Sequence, residues 1–408
     1  MRDGWAEVRL GDVLVLDNSK LGEHDEEPVV FSLSKYDGVV LADDYFDKRI
    51  ASDKLDGYKV LGPGGWAYST IHIDEGSIAT NHHGLTGVLS PMYTTMRWVG
   101  QDDDPRYFEL LLRTPRMLTV YRDHAAGTVN RRRSLAYKAF AELRVDVPPL
   151  VVQRRVVDLV DAVDTYAAAG RWLGEVAGRC LVAAISDHEA DVPAGDHSRP
   201  LSDYVAHTIG GVWGVEPGGD EVDVAVVRST EFRNDGALGG SGVRRSITMR
   251  QLDSRRLQDG DILLEKSGGG PKQPVGRVVS VQDIGSDPTV CANFVQLVRP
   301  DPDAVNPRYL FHRMWGWHRA GRTLEYQAQT TGIRNLRTKD YLAQPISLPE
   351  RAEQDRLADL WDALVDMTTA AVTNAEDAGV LRASLLDELL SGEREIPGSY
   401  DELVRLVA

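Results

Sequence analysis

The run from Pro349 to Leu390 has no proline after its first residue and one interior glycine, Gly379. Apolar residues recur at Leu357, Leu360, Trp361, Leu364, Met367, Ala371, Ala375, Ala378, Leu381, Leu385 and Leu389, mostly three or four apart. That spacing lays one apolar stripe along a helix. About 40 helical residues, rising 1.5 Å each, reach roughly 60 Å. A helix of that length needs a partner of similar length to cover its stripe.

The chain supplies one. Val147-Pro148-Pro149-Leu150-Val151-Val152-Gln153-Arg154-Arg155 matches Leu348-Pro349-Glu350-Arg351-Ala352-Glu353-Gln354-Asp355-Arg356 at Pro148/Pro349, Gln153/Gln354 and Arg155/Arg356. The frame continues from Leu159, Asp161 and Ala162 to Leu360, Asp362 and Ala363. The first copy then runs through Val163, Tyr166, Trp172, Leu173, Val176, Leu181 and Ile185. An internal duplication fixes the architecture. Each half is a globular segment followed by Pro, Gln and a long helix. The expected divisions are residues 1–147, a central helix over 148–188, residues 189–347, a second helix over 348–392, and a tail over 393–408.

With 408 residues there is room for two or three domains. No apolar run reaches membrane-spanning length, and the N-terminal residues carry no apolar signal core. The two cysteines, Cys180 and Cys291, are far apart and lack metal-ligand spacing. A reduced, cytoplasmic chain without a membrane partner is the expectation.

The net charge of −16 taken alone argues against a nucleic-acid partner. The distribution argues otherwise. Basic residues outnumber acidic ones between Arg106 and Arg144, around Arg131-Arg132-Arg133. From Arg308 to Lys339 the only acid is Glu325. Arg244-Arg245, Arg255-Arg256, Lys266, Lys272 and Arg277 lie between these regions. Basic patches on an acidic protein can bind DNA locally, and solvated surface is the competing reading.

In the first half, Trp5–Leu14 reads as the start of a helix or a strand, Val29–Leu33 and Val39–Leu41 as strands, and Asp44–Leu55 as helix. Tyr58–Tyr68 reads as strand, Pro-Gly turn, strand. Tyr107–Leu112 and Pro115–Tyr121 read as helices. The second half repeats the plan, with Leu257–Leu264 parallel to Leu61–Tyr68 and a helix over Asn306–Ala320. Asp187–Ser198 is the linker.

Glu265-Lys266-Ser267-Gly268-Gly269-Gly270-Pro271-Lys272 lacks the Gly-Lys-Ser/Thr ending of a phosphate-binding loop. A glycine-rich turn with Lys266 and Lys272 suits approach to a DNA backbone, or is a plain surface hairpin. His82-His83, with Asn81, His72 and Asp74 nearby, resemble a metal cluster, but adjacent histidines on a strand face opposite ways. They read as a base-contacting loop or a surface loop. Gln329-Thr330-Thr331-Gly332-Ile333-Arg334-Asn335-Leu336 and Gly127-Thr128-Val129-Asn130-Arg131-Arg132-Arg133 occupy matching places before the helical arms. Hydroxyls, Asn and Arg hold phosphates and read base edges, and such segments also cap helices. No Gly-X-Ser-X-Gly elbow, nuclease Glu-X-Lys or methyltransferase catalytic tetrapeptide is present.

The Thr330–Leu336 segment, the Leu348-Pro349…Glu353-Gln354 opening and the ending Leu385-Leu386-Asp387-Glu388-Leu389-Leu390-Ser391-Gly392 resemble the specificity subunit of type I restriction–modification systems. So do the Tyr58–Tyr68 turn, Gly76-Ser77-Ile78, Ser90-Pro91-Met92-Tyr93 and Asp259–Gly269. Each motif is weak singly; their order and duplication over nearly the whole chain are more specific. The first half departs from the pattern, with Val152-Gln153 for Glu353-Gln354 and an arginine run for Thr-Thr-Gly-Ile.

The resemblance implies an α/β (α+β) fold: two mixed target-recognition domains, separated by two long antiparallel coiled-coil helices, in a pseudo-two-fold repeat. Each domain would read one half of a split site in double-stranded DNA. The helices would dock two methyltransferase subunits, which engage nuclease/translocase subunits. S-adenosylmethionine, ATP and Mg would be used by those partners, and this chain would bind no cofactor and catalyse nothing. A helix of about 35 residues spans roughly 50 Å, more than one duplex turn of about 34 Å, so unspecified bases would separate the half-sites. The expected DNA contacts are Tyr68, Ser69, His72, Asn81, His82, His83, Arg131, Arg132, Arg133, Arg244, Arg245, Lys266, Ser267, Gly268, Lys272, Arg277, Thr330, Thr331, Arg334 and Asn335. The competing readings are a coiled-coil scaffold or a DNA-binding subunit of another anti-phage complex.

Overall fold

The computed structural model describes residues 4–23, 28–46, 54–126, 133–191, 198–269, 274–330 and 333–402. It divides into two compact units, residues 1–167 with 376–408, and residues 168–375.

At the centre of the first unit lie four antiparallel strands in the order Leu14–Leu16, Tyr93–Trp98, Trp66–Ser69, Ile78–Thr80. Alternation along Trp66–Ser69 splits the side chains between two cores. Trp66 and Tyr68 pack with Phe108, Leu112, Tyr121 and Phe140 from three helices, Pro105–Leu112, Pro115–His124 and Tyr137–Ala141. Ala67 packs with Phe31, Leu33 and Val39 of the hairpin Phe31–Ser34/Gly38–Leu41. Two of the helices start at Pro behind a capping side chain, Asp104 and Thr114. The first core is completed by Val156, Val157 and Val160 from one long helix, Leu150–Asp191, and by Leu389 and Leu390 from the other, Arg351–Ser391.

The second unit repeats this plan. Its central sheet has the order Val205–Gly210, Val295–Pro300, Ile262–Glu265, Val278–Ser280, again antiparallel. Val222–Val227 runs parallel to Thr289–Cys291, and the first unit has a matching parallel bridge, Val30 to Val88. Short pairs tie each globular segment to the start of its long helix: Ala6–Arg9 with Arg144–Val147, and Arg199–Pro200 with Pro345–Ile346. A three-stranded sheet found only in the second unit, among the described residues, joins Ser267–Gly269, Ile333–Leu336 and Gln327–Thr330.

Within each unit the long-helix segments pack antiparallel. Asp164 pairs with Arg382 at 2.6 Å in the first. In the second, Leu181 and Ile185 share a core with Leu357, Ala358 and Trp361. The helices there come close because of glycine: a Cβ on Gly170 would lie 2.9 Å from the Ala371 carbonyl oxygen, and one on Gly174 2.8 Å from Val372 Cγ2.

Two expectations need correction. Asp44–Leu55 is not a helix; one turn, Ala42–Tyr45, ends at Phe46, Lys54 and Leu55 are not helical, and 47–53 lie outside the described residues. The expected strand, turn, strand over Tyr58–Tyr68 is present as Lys59–Leu61 and Trp66–Ser69; each pairs with other strands, so the Pro-Gly turn links two sheets. The stripe on the second long helix is only partly inward: Leu357, Trp361, Ala371, Ala375, Ala378 and Leu389 are buried, while Leu360, Met367 and Leu381 are exposed. The close helix contact admits small residues and one narrow seam.

Candidate nucleic-acid interface

In each unit the end of the third strand of the central sheet meets a basic segment from much later in the chain. In the first unit the Leu135 N–H donates to the Thr70 carbonyl at 2.8 Å, just past Trp66–Ser69. In the second the Leu336 N–H donates to the Lys266 carbonyl at 2.8 Å, just past Ile262–Glu265. Arg133 and Arg334 thus occupy the same place beside these strand ends. The glycine-rich stretch and the Thr330–Asn335 segment, far apart in sequence, become neighbouring strands, with Ser267 opposite Asn335 and Gly269 opposite Arg334. Ser267 Oγ donates to Asn335 Oδ1 at 2.5 Å. Gly268 has φ 109°, a left-handed conformation that a side chain would strain. Lys266, Ser267, Gly268, Arg334 and Asn335 therefore form one cluster, partly exposed and edged by the main chain of Thr330.

The other expected contacts are placed differently. Tyr68 is fully buried and its hydroxyl donates to the Leu135 carbonyl at 3.1 Å; burial pushes its phenol up to about 12. Ser69 is also buried. Asn81 is buried, and its amide donates to the carbonyls of Leu61, Gly62 and Leu85, bracing the Pro-Gly turn. Tyr68 and Asn81 brace the fold, and none of the three side chains is exposed. His82 pairs with Glu109 at 2.8 Å, and His83 stacks on Phe31 and donates to the Val39 carbonyl. Both lie past Thr80, at the opposite end of the sheet from Ser69 and His72. His72 contacts Glu75.

Arg277 is a fold residue too. Its guanidinium makes two hydrogen bonds to Glu265, at 2.8 and 2.9 Å, and lies over the Phe232 ring. Those bonds raise its pKa above the ordinary value. Arg244 and Arg245 lie in the Val243–Ile247 strand of another sheet; Arg244 pairs with Asp287, and Arg245 with Glu216 while lying over Trp213. Arg131, Arg132, Lys272 and Thr331 lie outside the described residues, as does the Thr330 side chain. The basic run from Arg308 to Lys339 is not one surface. Arg308 pairs with Asp359 and Asp362, Arg313 is buried against Tyr309, Arg319 lies over Trp315, and Arg337 pairs with Asp340.

One repeated motif was missed in the sequence. Asp104-Pro105-Arg106-Tyr107 and Asn306-Pro307-Arg308-Tyr309 start equivalent helices. Arg106 pairs with Asp161, and Arg308 with Asp362 at 2.6 Å. The shared Pro-Arg-Tyr was the available signal.

Among the described residues no group of three or more His, Cys, Asp or Glu could hold a metal, and no helix is long and apolar enough to cross a membrane. Burial pushes the Cys291 thiol up to about 12, which leaves it protonated and inert.

No protein-family model and no curated protein matches the sequence. Solved structures do. A chain from the structural study of complex assembly and conformational transition of the type I R-M system is 15% identical, covering 96% of this chain and 98% of that one, with a TM-score of 0.54. The type I restriction–modification S subunit from M. genitalium is 10% identical over 94% and 96%, with a TM-score of 0.52. This chain has the S-subunit fold. The HsdS subunit from Thermoanaerobacter tengcongensis also matches, at 17% identity over 97% and 98%, with a TM-score of 0.48. In this chain the strand-end cluster and its first-half counterpart occupy equivalent positions of the repeat.

Proposed function

We propose that this chain is the DNA-reading specificity subunit of a type I restriction–modification complex. The observation that carries the reading is a strand-end junction built twice within an S-subunit fold, with a basic residue in both units and with hydroxyl and amide side chains in the second. Each unit would read one half of a split target. Arg133 in one junction, and Lys266 and Arg334 in the other, would neutralise phosphates; Ser267 and Asn335 would supply donors and acceptors for base edges. Target-recognition domains would correspond to the globular segments 1–147 and 189–347. Methyl transfer and ATP-driven cleavage would belong to two methyltransferase subunits and to nuclease/translocase subunits, with S-adenosylmethionine, ATP and Mg bound there. Exposed apolar residues on the long helices, such as Tyr166, Trp172, Val380 and Leu381, support a docking role for the arms.

Mapping DNA methylation in cells with and without this chain tests the reading. The expected result is loss of one split motif with a fixed gap when the chain is absent. An unchanged methylation pattern, with no sequence-selective DNA binding by the chain, would leave a scaffold.

A further inference from the structure

The two units share a second feature at the same strand ends. In the first, a turn from Ser90 to Tyr93 is closed by the Tyr93 N–H donating to the Ser90 carbonyl at 3.1 Å. In the second, a turn from Ala292 to Val295 is closed by the Val295 N–H donating to the Ala292 carbonyl at 2.9 Å. The repeat aligns these turns without a gap, from Gly87–Leu89 and Thr289–Cys291 before them to the Pro-Arg-Tyr helices after them. The residue just before the closing N–H is Met92 in one and Phe294 in the other. They are 55% and 50% exposed, among the more exposed large apolar side chains of the globular segments.

Tight turns favour Gly, Asn, Asp, Pro and Ser, and a large apolar residue at a turn tip gains nothing from local geometry. Both turns lie beside the junctions described above, because Tyr93 pairs with Ser69 and Val295 with Glu265. Both are held rigidly. The Lys59 ammonium donates to the Tyr93 carbonyl at 2.5 Å. The Lys266 N–H donates to the Phe294 carbonyl at 2.9 Å, and the Ala292 N–H to the Val227 carbonyl at 2.7 Å. Each tip has cations next to it. Lys20 bridges to Lys59 across adjacent strands, a like-charge pairing that a bound anion would relieve. Lys266 adjoins Phe294 through its main chain, and Arg334 lies on the strand paired with Ser267–Gly269. Nothing projects over the Phe294 ring from Gly268, where even an added Cβ would stand 3.9 Å from Cδ2.

We propose that Met92 and Phe294 are apolar wedges, each inserted between stacked bases in its own half of a DNA target. This rests on the DNA-reading function proposed above. Phe and Met are among the side chains that unstack a base step, while neighbouring cations hold the phosphates of the opened step. The wedge selects sequence through deformability, because pyrimidine–purine steps open most easily.

The test uses the full-length chain and a duplex that it selects from a random pool, with 2-aminopurine placed at successive positions. The wild-type chain is expected to raise the fluorescence at one step in each half. Phe294→Ala should abolish the signal in one half only and weaken binding about tenfold, as loss of one base stack does. Met92→Ala should do the same in the other half. The salt dependence should stay unchanged, because the phosphate contacts remain. Phe294→Trp should keep affinity and unstacking, which separates loss of a wedge from loss of the turn. If both Ala variants bind the selected duplex fully with unchanged fluorescence, the wedge is wrong and the DNA-reading function stands. If they bind DNA normally but lose a methyltransferase partner, the turns are protein contacts and the wedge is overturned. If the wild-type chain selects no sequence, the function and the wedge fall together.

Discussion

Gln354 accepts the main-chain N–H of Asn306 through its side-chain oxygen, at 2.9 Å, in the interior of the second unit. Its amide group donates to the Pro349 carbonyl at 2.8 Å. Gln153 does the same for Asp104 and Pro148, at 2.8 and 2.9 Å. Glutamine is suited to both positions because one side chain carries a donor and an acceptor. It joins the first turn of each long helix to the N-cap of the Pro-Arg-Tyr helix. Replacing Gln354 with Ala strands a buried N–H and should cost about 1–3 kcal/mol in urea denaturation. A loss under roughly 0.5 kcal/mol, the low end for one hydrogen bond, would mean that water replaces the side chain freely.

Arg277→Ala should destabilise the second unit strongly. Glu265 is 3% exposed and its carboxylate would lose its guanidinium. Breaking such a pair costs about 3–5 kcal/mol. The double variant Arg277→Met with Glu265→Leu should recover most of that stability. If Arg277→Ala is as stable as wild type but loses DNA binding, Arg277 is an interface residue after all.

Lys266→Ala combined with Arg334→Ala should weaken DNA binding uniformly across sequences. The slope of log affinity against log salt should fall by roughly two, one for each phosphate contact. An identical salt slope would remove the strand-end cluster from the phosphate contacts.

Acid should destabilise the second unit through His318. Burial, with Arg277 and Arg319 nearby, lowers its folded pKa to about 4. The unfolded chain takes up that proton near the ordinary value of about 6.5, so the folded state binds fewer protons below it. Stability is therefore fully present above pH ~6.5 and is lost as pH falls toward 4, by at most about 3 kcal/mol. Denaturation at pH 7 and pH 5 should show a smaller difference in His318→Gln than in wild type. Equal pH dependence would place the proton uptake on other groups.

The duplication was readable because Pro148/Pro349, Gln153/Gln354 and Asp161/Asp362 make equivalent contacts in the two units. The Pro-Arg-Tyr pairs were equally readable and were passed over. Periodicity located both long helices, but it cannot tell a face covered by a neighbour from one left open; hence Leu360, Met367 and Leu381 were misplaced. Side-chain type also misled. Tyr68, Asn81 and Arg277 carry groups suited to DNA, and each finds its partner inside the protein. The meeting of Lys266 with the Arg334–Leu336 segment depends on strand pairing between distant residues, which local sequence does not encode.

Leu389 and Leu390 complete a core whose other members lie between Leu10 and Val160. Their late place in the chain sets an order on biogenesis. Residues 168–375 are synthesised before residues 376–408, so the second unit has all of its chain while the first still lacks part of its interior. The unit translated first is thus finished last, and until then Val156, Val157 and Val160 present an unfilled apolar seam to chaperones and proteases. Ribosome-stalled chains ending at Glu388 and at Ala408, each extended by a linker that fills the exit tunnel, should differ in protease protection of the N-terminal unit; equal protection would show that its core closes without Leu389 and Leu390.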